Sequence, residues 1–150
     1  METKIRFAAI EDLEIIARFQ ILMADETENV ALEKNTIEKG VKAVFDNPHL
    51  GRYYVAEIDG QVVACLLTTF EWSDWRNAMV WWLQSVYVLP EYRKTGVFRK
   101  MYLHIKDLVL ANENVGGIRL YMITSNDQAR KAYQAMGMDG EHYQLFEWMK

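Results

Sequence analysis

The sequence predicts an α/β (α+β) fold: a mixed, mostly antiparallel central sheet with helices on both faces. Three observations carry that expectation. The composition, 51% apolar and 25% charged over 150 residues, is that of a packed domain. Strand-like runs alternate with amphipathic helical stripes along the chain. Asp59-Gly60 joins two apolar runs as a two-residue hairpin turn, so at least one strand pair is antiparallel.

The elements follow in order. Thr3–Phe7 alternates Lys4 and Arg6 with Ile5 and Phe7, as a short strand does. Leu13, Ile16, Ala17, Ile21 and Ala24 form a helical stripe over residues 11–24. The acidic "DETENVALEKN" reads as a loop, and Thr36 as the cap of a second helix that ends near Phe45, before Pro48 and Gly51. "YYVAEI" and "QVVACLLTTF" flank the hairpin turn, "WSDWRN" turns again, and Met79–Val88 is bulky and β-branched, as a central strand is. Gly96 to Asn112 reads as a helix with Val97, Met101, Ile105 and Leu108 on one stripe. After Gly116-Gly117, "IRLYMI" reads as a strand. A helix from Asn126 to Gly137 and a closing strand, "HYQLFEW", complete one domain over 1–150.

Charge and cysteine usage narrow the function classes. Seventeen basic against 21 acidic residues give a net charge of −4, which disfavours nucleic acid and anionic membrane as partners. The single Cys65 excludes an internal disulfide and, lacking a cationic neighbourhood in the sequence, reads as a buried small hydrophobe. No apolar run reaches the length of a membrane span, and "METKIRFAA" lacks a signal-peptide core, so a soluble cytoplasmic protein is expected. His49, His104 and His142 are scattered, without metal-ligand spacing.

"LPEYRKTGVF" stands out in so acidic a chain. A strand ends, Pro90 prevents its continuation, and a helix opens at Gly96 with Arg93, Lys94, Arg99 and Lys100 around it. A helix start offers unpaired N–H groups and partial positive charge, and glycine lets a ligand approach the backbone closely. The competing reading is a charged surface turn. "SVYVLPEYRKTGVFRKMYLHI" resembles the acetyl-CoA signature of the GCN5-related N-acetyltransferases, with Val88, Pro90, Arg93 and Gly96 on family positions. "NDQARKAYQAMGM" resembles their second signature through Asn126, Ala129, Tyr133 and Gly137. Phe98 departs from the pattern, which usually has Gly or Ala there. Its ring is expected to turn toward Met101 and Tyr102 and leave the main chain accessible.

The resemblance implies direct acetyl transfer from acetyl-CoA to an amine. An alkyl amine with pKa near 10 is only about one part in a thousand unprotonated at pH 7, so a base or a shifted pKa is needed. Developing oxyanion charge needs an N–H donor. By family position, the backbone of Val86, Tyr87 and Val88 would hold the pantetheine arm. Arg93, Lys94, Thr95, Gly96, Val97, Phe98 and Arg99 would hold the diphosphate, mainly through main-chain N–H groups. Asn126 would line the channel and Tyr133 would protonate the departing thiolate. On spacing alone Tyr133 shares an apolar stripe with Ala129, Ala132 and Met136, which reads as packing.

The acceptor side is less determined. "FEWSDWRNAMVWWLQSVYVLPEYR" has some likeness to the diamine-acetylating branch, but Gln84 and Ser85 stand where that branch carries acids. Glu26, Glu28 and Glu71 are candidate carboxylates for a small cationic amine, with Glu26 first as the base, and Trp82 and Gln84 as further lining. Taken singly, each acid reads better as a solvated loop charge, and it is as a group that they suggest an acidic acceptor mouth. A non-catalytic acyl-CoA-binding module of the same fold is the alternative. Surplus aromatics and a terminal strand leave a homodimer open.

Overall fold

The structure, a computed structural model, describes residues 2–150. The chain forms two compact units, one through Arg119 and one over Leu120–Lys150. The first contains a five-stranded sheet in the order β1-β2-β3-β4-β5. Its strands are β1 (Thr3–Phe7), β2 (Arg52–Ile58), β3 (Gln61–Ser73), β4 (Ala78–Val88) and β5 (Val115–Arg119). All neighbours are antiparallel except β4 and β5, which run parallel. The hairpin forms where Asp59-Gly60 predicts it, with φ of 50° and 78° at the two residues, the left-handed pair that a tight hairpin requires.

Helices α1 (Leu13–Glu28) and α2 (Lys34–Asp46) cover one face and α3 (Val97–Leu110) packs on β1, β2 and β5 from the other. Alternation along the strands divides the core accordingly. Tyr53, Val55, Cys65, Leu67 and Tyr87 meet Ile16, Ala17 and Phe19 of α1 and Val41 of α2. Tyr54 points the other way, where its ring meets His104 of α3 edge-on at 6.0 Å. Gly51 is required where the chain enters β2, because a Cβ there would stand 2.6 Å from the Thr68 carbonyl oxygen. At the far end of the sheet, Arg6 binds Asp12 through two nitrogens (2.7 and 3.1 Å) and Glu57 through a third (2.9 Å).

Four expectations change. Helix α1 runs on through Glu28, so Glu26 and Glu28 occupy its last turn rather than a loop. The helix continues to Asn29, whose left-handed φ of 51° stops it. Glu33, not Thr36, caps α2, since its carboxylate accepts from the Asn35 and Thr36 amides. Strand β5 stops at Arg119, short of "LYMI". The closing segment 142–150 has no strand pairing, and its apolar Phe146 and Trp148 are exposed. The sequence reads as a closing strand there, but strand pairing is a non-local property that a short apolar run does not supply.

The second unit carries helix α4 (Asp127–Ala135), which starts where the sequence predicts and is capped by the Asn126 side chain, which accepts from the Ala129 amide at 3.1 Å. Gly137 follows with a left-handed φ of 84°. Among the described residues, no helix is long and apolar enough to cross a membrane, and no cluster of His, Cys, Asp or Glu is arranged to hold a metal ion.

Candidate functional site

The site is built on β4, whose two halves differ. Met79–Trp82 pairs with β5, but β5 ends at Arg119 while β4 continues to Val88. The β5-facing edge of Leu83–Val88 is therefore left without a strand among the described residues. Unpaired main-chain groups on such an edge can bind an extended chain of amide groups as a strand would.

The same half of β4 carries a bulge. Leu67 pairs with Gln84 and Cys65 with Tyr87, so one extra residue is inserted on β4 between these pairs. Ser85 accommodates it in the left-handed region at φ 55°. A one-residue insertion reverses the side-chain alternation beyond it. Gln84 and Tyr87 consequently share the α1 face. The Ser85 carbonyl turns inward, where the Gln20 side-chain amide donates to it at 3.3 Å and the Cys65 thiol lies at 3.6 Å.

Beyond β4, Pro90–Tyr92 makes a short 3-10 turn and Gly96 opens α3 with a left-handed φ of 87°. No side chain caps this helix, and a Cβ at Gly96 would meet nothing within 4 Å. Uncapped N–H groups facing open space are what a bound diphosphate needs. Lys94, Thr95, Gly96 and Arg99 are exposed, Val97 is buried, and Phe98 is half-buried.

Arg93 behaves differently from its basic neighbours. Its Nε donates to the Val88 carbonyl at 2.8 Å, its Nη2 to Glu26 Oε2 at 2.7 Å, and its guanidinium lies 5.3 Å from the Tyr87 ring centre. The Tyr87 hydroxyl donates to the other Glu26 oxygen at 2.8 Å. One carboxylate on α1 thus ties the end of β4 to the turn that leads into α3. Burial pushes the Glu26 carboxyl up, but the Arg93 hydrogen bond, the Tyr87 hydroxyl and the Arg93 charge outweigh it and hold the carboxyl below its ordinary value. Burial first, and then the Glu26 hydrogen bond, push the Tyr87 phenol up to about 12.

Three of the remaining acceptor candidates fall on the sheet face that meets α1. Glu71 on β3 pairs with Arg119 at the end of β5. Trp82 and Gln84 follow on β4, with the Thr69 hydroxyl 3.4 Å from Gln84 Oε1. Trp81 takes the opposite face, edge-on to Phe70 at 6.0 Å. Glu28 is exposed at the end of α1. Burial pushes Cys65 up to about 12, with weaker opposition from Tyr87 and Gln20, so its thiol stays protonated. In the second unit, Asn126 spends its carbonyl oxygen on the α4 cap, and burial raises the half-buried Tyr133 phenol.

The structure therefore unites Glu26, Tyr87, Val88 and Arg93 in one hydrogen-bonded group. It gathers Glu71 of β3 with Trp82 and Gln84 of β4 on one sheet face. The sequence reading missed Gln20, which lies in the α1 stripe between apolar residues, and the Ser85 bulge, which no glycine or proline marks.

A family model described as the acetyltransferase (GNAT) family matches residues 10–138. The chain belongs to that family. A possible acetyltransferase from Clostridium difficile 630 is 38% identical, superposes with a TM-score of 0.92, and is covered over 99% of its chain by 100% of this one. A predicted acetyltransferase with acetyl-CoA from Clostridium acetobutylicum shares the fold at 16% identity and a TM-score of 0.76, over 97% of this chain and 96% of that one. Thialysine N-epsilon-acetyltransferase from Bos taurus is 30% identical over 76 residues, 51% of this chain. The match spans only 44% of that relative's length.

Proposed function

We propose that this protein is an acetyl-CoA-dependent N-acetyltransferase that moves an acetyl group directly to an amine, of the small cationic class. The observation that carries this reading is the juxtaposition, along one stretch of chain, of the unpaired Leu83–Val88 edge and the uncapped start of α3. Family membership and a relative solved with acetyl-CoA support it.

Acetyl-CoA, when bound, supplies a thioester-activated acetyl group. A carbon–nitrogen bond forms as the carbon–sulfur bond breaks, and the proton lost by the amine is matched by the one gained at sulfur. The Gly96 and Val97 amides at the open helix start would hold the diphosphate, with Lys94, Thr95, Phe98 and Arg99 around it. Main-chain groups of Val86–Val88 would hold the pantetheine arm and polarise the thioester carbonyl. Arg93 would fix the geometry of this loop through Val88 and Glu26. Tyr133, kept protonated by its raised pKa, would donate to the leaving thiolate, and Asn126 would orient the α4 start. Glu26, Glu28 and Glu71, with Trp82 and Gln84, would attract the ammonium form of the acceptor. A carboxylate held low accepts a proton poorly, so Glu26 can act as the base only after Arg93 releases it. The exposed apolar segment around Phe146 and Trp148 supports a homodimer, which sedimentation would measure.

Calorimetry with acetyl-CoA, followed by thiol release over an amine panel, tests this reading. We expect binding and turnover with at least one cationic amine. Binding without turnover would favour the acyl-CoA-binding module, a reading that the paired state of Glu26 and the absence of acids at Gln84 and Ser85 keep in play. Tyr133→Phe should lower turnover with little change in acetyl-CoA affinity; unchanged turnover would remove the proton-donor role.

A further inference from the structure

We propose that Gln20 is a positioning residue for acetyl transfer: from helix α1 it pins the Ser85 carbonyl and so holds the β4 bulge in its working shape. The proposal rests on the acetyl-transfer reading above. Gln20 is 6% exposed among apolar neighbours, a costly place for an amide without partners. Its Nε2 donates to the Ser85 carbonyl at 3.3 Å and reaches the Cys65 sulfur at 3.4 Å.

The contact matters because of what Ser85 does. Ser85 sits at φ 55°, a conformation that favours glycine and is strained for a residue with a side chain. Something must compensate, and the inward-turned carbonyl with a buried amide donor aimed at it is the compensation on view. The left-handed residue also sets everything after it. With a regular strand, Val86 and Val88 would face α1. With the bulge, Tyr87 does so instead, reaching Glu26 with its hydroxyl and underlying Arg93 with its ring. The direction of the Val86–Val88 main-chain groups along the open edge is fixed by the same step. Gln20 touches neither donor nor acceptor in this account. It acts through Ser85.

Gln20→Met keeps length and volume while deleting the donor. In that variant we expect turnover at saturating substrates to fall by roughly tenfold to a hundredfold, as small misplacements of a reacting centre do. The calorimetric affinity for acetyl-CoA should fall by less than the turnover does, because the pantetheine contacts of Val86–Val88 are disturbed while the diphosphate grip at Gly96 is untouched. Adding Ser85→Gly should restore most of the lost turnover, since glycine takes the left-handed conformation without help. Wild-type turnover in Gln20→Met, or a loss that Ser85→Gly does not repair, would overturn the proposal, leaving Gln20 a packing residue. If the wild-type protein acetylates no amine, the acetyl-transfer reading fails on its own, and amide hydrogen exchange then reads the bulge directly. Faster exchange at 86–88 in Gln20→Met, slowed again by Ser85→Gly, supports pinning, and unchanged exchange contradicts it.

Discussion

Two arginines in this protein bind carboxylates, and they do so for different ends. Arg6 sits between Asp12 and Glu57, with 28% of its side chain exposed and 10% of that of Asp12. Every direction of its guanidinium is occupied by a fixed acceptor on β1, β2 or the turn before α1. Arg93 has one carboxylate and one main-chain carbonyl, with 42% of its side chain exposed and 34% of that of Glu26. It lies in the turn before an uncapped helix. The first arrangement is a clasp that stays closed. The second can exchange one anion for another, because its site already faces solvent and extra positive charge stands beside it.

The contrast predicts unequal costs for similar substitutions. The largest effect should follow Asp12→Ala, which leaves Arg6 half-paired and the Ala9 amide without its 2.8 Å acceptor. We expect a loss of about 3 kcal/mol in urea unfolding, within the range for breaking a part-buried pair. Acetyl-CoA affinity should not change. Burial raises the Asp12 carboxyl, but Arg6 and the Ala9 amide overcome it and hold it low. Its stabilisation is therefore present above the ordinary carboxylate value and lost as pH falls through the lower folded value. The variant should show a flatter acid limb.

Arg93→Ala should invert the pattern. Loss of a half-exposed pair costs about 0.5 kcal/mol of stability. The turn loses its anchor to Val88, and acetyl-CoA affinity should drop about tenfold, or 1.4 kcal/mol. Equal losses in stability for Asp12→Ala and Arg93→Ala would erase the distinction between the two clusters.

Glu26→Gln sharpens it further. The amide keeps the shape and one acceptor for Arg93 but removes the charge that would attract an ammonium group. The KM for the amine should rise about threefold to tenfold, with the KM for acetyl-CoA nearly constant. A change confined to acetyl-CoA would assign Glu26 wholly to the loop.

Tyr87→Phe should have the smallest effect on either substrate, with a stability loss of about 1 kcal/mol for one hydrogen bond. The Tyr87 phenol titrates at about 12 when folded. Its share of stability is complete below the ordinary tyrosine value and is lost as pH rises from there toward 12. The variant should lack that alkaline limb.

Legibility in the sequence followed how local the determining physics is. The hairpin, the Gly96 helix and the helix start at Asn126 rest on neighbouring residues, and all three can be read from the sequence. The open edge of β4 depends on where β5 ends, and that is set by register with a strand about 30 residues away. The Ser85 bulge depends on Gln20, 65 positions earlier. The sequence points to Glu26 as an acceptor-side acid, whereas its partners Arg93 and Tyr87 fall on the donor side by family position. Neither spacing nor composition encodes that junction, because it exists only once α1 lies across β4.

The most direct test of the account is an amide-detected NMR titration with coenzyme A. We expect the largest shifts in two runs, Lys94 to Arg99 at the start of α3 and Leu83 to Val88 along the open edge of β4. No saturable shifts, or shifts centred away from both runs, would contradict the account.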